Sequence, residues 1–481
     1  MSTALAILAV YMLATIVISI VSAVRSRGAN AGSFMAAKGE LAWVFLIPLL
    51  FAEMIAGSGT IGNAAAGFTT GLSAVWMNWG MVIGVLLFTV LVLKFYKSVN
   101  ATKNVISVPA AYKCIFDERC RIVMLFVIVI VYLILFSTQP VAAAAIIGPM
   151  VGVDETVVAW VIAAVFIGVT LLGGMKGVAF MNVVHAFVMV VGMALVAFVA
   201  LERAGGFEAL HASLPATYFS FAQPDMPTTV ASALGTGISM IASATTVSVC
   251  FAAKDLRNAR IGMVAAALII APFALLPAII GMCAQVVLPD IAANGALFSM
   301  ANHVGGVYGG IASMAIIAAI WSTAPALMLI CATTLTKDFY KHAKPQATDH
   351  QELLFSKFCV VAVGIAGTFL GLNASSILDQ MYGAFQIRSI VAIVLIAAIF
   401  WKRVSTTAAF WSMLSGGILA AGWFFAGNPF GVSCFWPGAA LCLIVLVPLT
   451  LTSRDKVSPG YRAYRQALDE MTALERKEQP Q

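Results

Sequence analysis

Long apolar stretches recur along nearly the whole chain, and most exceed the roughly 18 residues that a helix needs to cross a hydrocarbon core about 30 Å thick. The pattern predicts thirteen membrane-spanning helices, over residues 3–23, 41–68, 72–96, 122–149, 156–174, 178–201, 229–253, 261–287, 307–335, 354–372, 380–401, 405–426 and 433–452, with ends placed to about four residues. Of the 481 residues, 62% are hydrophobic and only 10% charged, and a water-soluble fold has no means of hiding so much apolar surface. The expected fold is therefore an all-α polytopic membrane protein. No segment reads as a soluble catalytic domain, and no constellation of residues suggests an enzyme.

Charge sets the expected sidedness. All but two of the 27 lysines and arginines fall in the loops after spans 1, 3, 5, 7, 9 and 11 or in the tail 453–481. Basic loops remain cytoplasmic, so the N-terminus is expected outside and the C-terminus inside a plasma or bacterial inner membrane. The opposite loops carry Asp154, Glu155, Glu202, Glu208, Asp225 and Asp290. The basic balance thus reflects topology and contact with anionic lipid, and nucleic acid is not an expected partner. The first span lacks the preceding basic region and small-residue cleavage site of a secretory signal, and it is expected to be retained. The eight cysteines lack the spacing of a metal site, and most fall in or beside spans as small packing residues.

Two charges are left at membrane depth, Glu53 in span 2 and Arg388 in span 11. A charge there costs at least about 2.5 kcal/mol, so each requires a partner, a cavity or a ligand. They either pair with each other or meet a charged solute. Glu53 stands in the stretch FAEMIAGSGTIGN, where Gly57, Gly59 and Gly62 weaken the helix while Ser58, Thr60 and Asn63 can satisfy freed backbone groups. Irregular backbone at this depth is tolerated around a cavity, and in secondary transporters it recurs at matching places of two inverted repeats. Span 7 holds a second such stretch, SALGTGISMIASATT, from Ser232 to Thr246. Broken helices 2 and 7 would then open two inverted five-helix repeats, spans 2–6 and 7–11.

At this point the chain resembles the sodium/solute symporter family. The pieces that carry the likeness are SFMAAKGELAW (Ser33 to Trp43), the glycine-rich span 2, FAAKDLRNARIG (Phe251 to Gly262), STAPALMLICATTLTKDFYK (Ser322 to Lys341) and IFWKRVSTTAAFWSMLSGG (Ile399 to Gly417). The resemblance implies a leucine-transporter-type core and divides the chain into residues 1–40 (first span and loop), 41–203 (first repeat), 204–228 (external loop), 229–403 (second repeat), 404–452 (two further spans) and 453–481 (cytoplasmic tail).

The resemblance also implies a sodium ion between spans 2 and 9. Its donors map to the carbonyls of Ala52, Ile55 and Ala319 and to the hydroxyls of Ser322 and Thr323, the pair that precedes Asp338 by sixteen residues. Neutral hard oxygens suit such a cation. Positions that hold a second sodium in some relatives are here Asn182, Pro325 and Ala326, which implies one ion per cycle. Where a glutamine–arginine pair is common before the end of span 7, this chain has Ser248 and Val249.

For the solute, the expected contacts are Glu53, Gly57, Ser58, Gln139, Ser239, Ser243, Gln386 and Arg388, with Ser137 and Thr138 beside Gln139. The planar fork of Arg388 suits a carboxylate, which points to an organic acid or amino acid, and Glu53 could receive an ammonium group. The expected function is sodium-coupled uptake by alternating access. Two alternatives stay open, a proton-coupled transporter using Glu53 or His185 and a solute sensor built on the same core.

Overall fold

The computed structural model describes the chain apart from residues 1–2, 26–38, 40, 375–376, 454–455 and 479–481, and leaves out a few helical side chains, those of Glu53, Ala56, Ser58 and 173–180 among them. Most of the quoted Ser33–Trp43 motif therefore lies outside the described residues.

The described residues form helices joined by short turns, with one isolated bridge between Leu41 and Ala253 and no strand. A backbone in lipid must satisfy its own polar groups, which the long helices do internally. In chain order they are α1 (Thr3–Arg25), α2 (Trp43–Thr70), α3 (Trp76–Leu91), α4 (Leu93–Lys103), α5 (Val108–Ile115), α6 (Glu118–Val151), α7 (Glu155–Arg203), α8 (Gly206–Ser213), α9 (Met226–Ser239) and α10 (Ala244–Ala252). There follow α11 (Leu256–Phe273), α12 (Leu275–Val287), α13 (Ala296–Val304), α14 (Gly306–Thr334), α15 (Asp349–Leu372), α16 (Ile377–Phe400), α17 (Thr406–Phe425), α18 (Phe435–Leu451) and α19 (Pro459–Glu478). Among the described residues nine helices are long and apolar enough to cross a membrane, or ten if the bent pair α9–α10 counts as one span.

Spans 5 and 6 fall within the single helical run α7, which contains two apolar portions of spanning length, Glu155–Leu172 and Met181–Arg203. Their neighbours show that they run in opposite directions. Phe166 packs on Trp321 and Thr170 reaches Met328, whereas Gly192 faces Ile311 and Ala315. A straight helix would have carried residue 192 far beyond the end of α14. The chain thus doubles back along α14, the buried helix at the centre of the bundle.

The two glycine-rich stretches behave differently. Span 7 breaks: α9 passes through a 3-10 turn, Met240–Ala242, and an extended Ser243 before α10 starts, with a 44° bend. The Ser243 hydroxyl caps the new helix by accepting from the Thr246 N–H at 3.3 Å. Span 2 does not break, since α2 is helical from Trp43 to Thr70, and the expected interruption there is corrected. Its glycines serve close approach instead. A Cβ on Gly57 would lie 2.4 Å from Ile320 Cγ1, and one on Gly67 2.4 Å from the Ala278 carbonyl oxygen. Small residues that admit a neighbouring helix and small residues that loosen a helix look alike in sequence.

Three hydrogen bonds, Gly39 N to Phe251 O, Leu41 N to Ala252 O and Lys254 N to Leu41 O, tie the approach of α2 to the exit of α10 at 2.9–3.0 Å. Asn258 Oδ1 accepts from Trp43 N at 2.9 Å, so the loop motif around Phe251–Gly262 anchors the start of span 2. Lys97 Nζ donates to the carbonyls of Cys250 and Ala253, placing a cation at the carbonyl end of α10.

The tail helix α19 has no separate core and packs against the bundle. Residues of α19 are buried at Tyr464, Ala467 and Met471. Tyr464 OH donates to Leu91 O at 2.6 Å, and Lys94 pairs with Glu475 at 3.1 Å.

Tight glycine contacts give a test of this packing. A Cβ on Gly281 would stand 2.0 Å from the Ala64 carbonyl oxygen, whereas Gly417 has nothing within 4 Å. Gly281→Ala is expected to cost about 1–3 kcal/mol and lower the melting temperature of the purified protein in detergent, while Gly417→Ala leaves it unchanged or raises it.

Candidate functional site

Between α2 and α14 a group of oxygens converges. The Thr323 hydroxyl donates toward Ala52 O at 2.8 Å and lies 3.1 Å from Ala319 O, while the Ser322 hydroxyl donates to Ala319 O at 2.8 Å. The two hydroxyls are 3.3 Å apart. Four of the five oxygens expected to hold a cation are thus neighbours, and Ile55 is buried one turn further along α2. The local cause is helical: adjacent Ser and Thr turn their hydroxyls back to the preceding turn, which supplies the Ala319 contact. Only the Ala52 contact is long-range, and it fixes the two helices against each other.

Thr323 also lines a central cavity with Met54, Met81, Tyr132, Leu135, Gln139, Met240, Thr245, Leu327, Met381, Phe385 and Arg388. This cavity is small, at about 20 Å³, which is room for about one water molecule. Arg388 is 1% exposed. Its NH1 group donates to Tyr132 OH at 3.1 Å and its NH2 group to Ser239 Oγ at 3.2 Å. The guanidinium also lies 5.3 Å from the Phe385 ring centroid and 5.7 Å from that of Tyr132. Arg388 Nε and Gln139 Oε1 are buried without a hydrogen-bond partner, and no carboxylate pairs with Arg388 among the described residues. Ser243 joins the same network through Thr245 at 2.9 Å and Tyr132 at 3.3 Å.

The break in span 7 therefore delivers Ser239 and Ser243, Gln139 comes from α6, and Gly57 lies where α2 meets Ile320 and Gln139. The side chains of Glu53 and Ser58 lie outside the described residues. Gln386 lies apart from this group: its Oε1 accepts from Ser433 Oγ at 2.8 Å, and the residue lines a second cavity of about 290 Å³ with Trp76, Asp379 and Tyr382. Residues two apart on a helix point about 200° apart, so Gln386 and Arg388 face different cavities. His185 bonds through Nδ1 to Tyr11 OH, joining α7 to α1, and does not line the central cavity.

Tyr132, Thr245 and the four methionines Met54, Met81, Met240 and Met381 were not anticipated. Methionine in an apolar helix carries no mark that separates a cavity wall from core, and Tyr132 is one more aromatic residue in a long apolar run.

The sodium:solute symporter family model matches residues 34–416, most of the chain. The chain belongs to the sodium:solute symporter family. Among its relatives, the osmoregulated proline transporter OpuE of Bacillus subtilis is 24% identical over 425 residues, covering 84% of this chain and 86% of that protein. The sodium/glucose cotransporter 2 of Rattus norvegicus is 22% identical over 499 residues, covering 90% and 73%. A solved Na+-coupled sialic acid symporter, in a substrate-bound outward-open state, shares the fold with a TM-score of 0.79 at 16% identity, covering 94% of this chain and 97% of that one. As a family member this is a multi-pass membrane symporter that couples solute uptake to sodium, and it is not an enzyme.

The Tyr132 hydroxyl is the hub of this network, since it also accepts from the Thr245 N–H at 3.0 Å. Tyr132→Phe is expected to lower stability by about 1–3 kcal/mol by leaving buried donors unsatisfied, read as a fall in melting temperature. Tyr11→Phe, which touches His185 alone, leaves solute affinity unchanged in a binding assay.

Proposed function

We propose that the chain takes up a small carboxylate-bearing solute, an organic acid or amino acid, together with one sodium ion, by alternating access. The observation that supports this reading is Arg388: a buried cation, held by two hydroxyls, with a free Nε facing a cavity that also holds the unpartnered Gln139 Oε1. A solute carboxylate supplies the missing negative charge and accepts from the guanidinium fork. Proline and sialic acid, named for two of the similar proteins, both carry a carboxylate, and glucose does not. The site would comprise Arg388, Gln139, Ser239, Ser243 and Gly57, with Glu53 and Ser58 on the adjoining turn of α2.

The sodium ion would lie among Ala52, Ile55, Ala319, Ser322 and Thr323. Its arrival replaces the hydroxyl-to-carbonyl bonds now made by Thr323, and this same residue lines the solute cavity. Each ligand thereby raises affinity for the other. The small cavity must widen to admit solute, and four methionines let its walls repack. Thirteen spans, inverted repeats over spans 2–6 and 7–11 and a cytoplasmic C-terminus complete the reading. With a negative interior, each sodium entering contributes about 2.3 kcal/mol per 100 mV to uptake.

Liposomes containing the purified protein provide the test, with an imposed sodium gradient and a panel of labelled amino acids, organic acids and sugars. Uptake of a carboxylate is expected, and Arg388→Gln should weaken its binding about 10- to 100-fold through loss of a charge-assisted hydrogen bond of roughly 1.5–3 kcal/mol. Ser322→Ala with Thr323→Ala should abolish stimulation by sodium. Transport of a neutral sugar with undiminished activity in Arg388→Gln would refute the carboxylate reading. Full uptake driven by a proton gradient in sodium-free buffer would refute the sodium reading.

A further inference from the structure

The bend in span 7 parts two groups that a continuous helix would join. In an unbroken turn the Ile241 carbonyl accepts from the Thr245 N–H four residues on. Here the extended Ser243 separates them, and each is taken by a tyrosine from a different helix. Tyr96 OH, on α4, donates to Ile241 O at 3.2 Å, and Thr245 N donates to Tyr132 OH, on α6, at 3.0 Å. A buried carbonyl or N–H without a partner is costly, so the break persists while both hydroxyls are in place.

The two tyrosines differ in where they stand. Tyr132 also accepts from Arg388 and lines the central cavity. Tyr96 is fully buried and does not line that cavity; its ring stacks on Phe88 at 5.4 Å and meets Phe251 of α10 edge-on at 6.3 Å. Packing accounts for the ring, and the Ile241 carbonyl accounts for the hydroxyl. The far end of α10 is pinned as well. Its closing carbonyls are all engaged, Val249 by Ala253 N, Phe251 by Gly39 N, Ala252 by Leu41 N, and Cys250 and Ala253 by Lys97 Nζ. Lys97 follows Tyr96 in the chain, so two consecutive residues of α4 hold both ends of a nine-residue helix about 13 Å long. Anchored there, α10 cannot slide back to close the gap, and its first residues stay turned toward Tyr132.

We propose that Tyr96 is a positioning residue for the solute site: with Tyr132 it props the break in span 7 open and so keeps Ser243 and Thr245 in the network around Arg388. That these groups bind solute rests on the function proposed above, whereas the prop is a property of the backbone and is tested without solute.

Amide hydrogen exchange and melting temperature of the purified full-length protein in detergent test this, on Tyr96→Phe, Tyr132→Phe and the double variant. Each single substitution orphans one backbone group while the remaining tyrosine still holds the other. Peptides covering residues 240–250 should then exchange at least about fivefold faster than in the wild type, with those from α14 unchanged. In the double variant the carbonyl and the N–H are both released and can bond each other. Its fall in melting temperature should therefore be at least about one third smaller than the sum of the two single falls, whereas a tyrosine that merely packs gives additive falls. Tyr96→Phe keeps the ring and its stacking, so its exchange alone decides should the other variants fail to fold. Wild-type exchange over residues 240–250 in Tyr96→Phe, or additive falls across the set, overturns the proposal. Failure of carboxylate uptake in liposomes would leave either result intact.

Discussion

A guanidinium held at membrane depth is the constraint around which the rest of the site is organised. The cost of a guanidinium charge in hydrocarbon, here that of Arg388, has to be met by its neighbours. Those neighbours are Tyr132 from α6 and Ser239 from the end of α9. The irregular backbone that follows Ser239 has a matching purpose: the 3-10 turn and extended Ser243 place a hydroxyl at the foot of Tyr132. In a straight span 7 Ser243 would lie one turn beyond Ser239 on the same face, and the cap on α10 would be lost. The broken helix and the buried cation are thus parts of one arrangement. Hydroxyls solvate the guanidinium without neutralising it, and among the described residues no carboxylate pairs with it.

The second dependency runs through Thr323. Its hydroxyl reaches across to Ala52 while its side chain lines the cavity that holds Arg388. A cation entering the oxygen cluster and a solute entering the cavity would therefore meet the same residue from two sides. That shared contact is a physical basis for reciprocal coupling, because each ligand orders a group that the other needs. It also assigns a role to the unbroken α2. A continuous helix carries the Ala52 carbonyl and the close-packed Gly57 as one rigid body, so a shift at the cation cluster is felt at Gln139 one turn away.

Much of this was legible in the sequence, for reasons that can be named. Apolar runs of spanning length fixed where the described helices would lie, since lipid permits few other backbones. Arg388 stood out because charge is rare at that depth, and Ser322 with Thr323 because their distance from Asp338 matched a family pattern. Glycine was the ambiguous signal. In α9–α10 it accompanies a true break, and in α2 it admits Ile320 and Ala278, and composition alone does not separate the two. That Gln386 faces a second cavity follows from helical phase, which polarity alone does not carry. Tyr132 and the methionines carried no polar or spacing signal, so their place in the cavity emerged only from the packing of four separate helices. The docking of the tail had no clear signal either, because the buried Tyr464 and Met471 are sparse among many charges.

Helical phase also explains how α16 joins distinct environments. Gln386 faces the second cavity, lined with Trp76 and Asp379, and the α17–α18 connection, Ile387 faces the apolar groove between α6 and α17, and Arg388 faces the central cavity. Successive residues are about 100° apart, so three consecutive side chains report to three surroundings at one depth. Movement of this helix cannot alter one contact alone. A shift of Arg388 would move Gln386 against Ser433 and Ile387 against the groove wall. A rigid element with its faces so divided needs no chain of intermediaries to move its contacts with both cavities and the groove together. The coupling is built into the pitch of one helix.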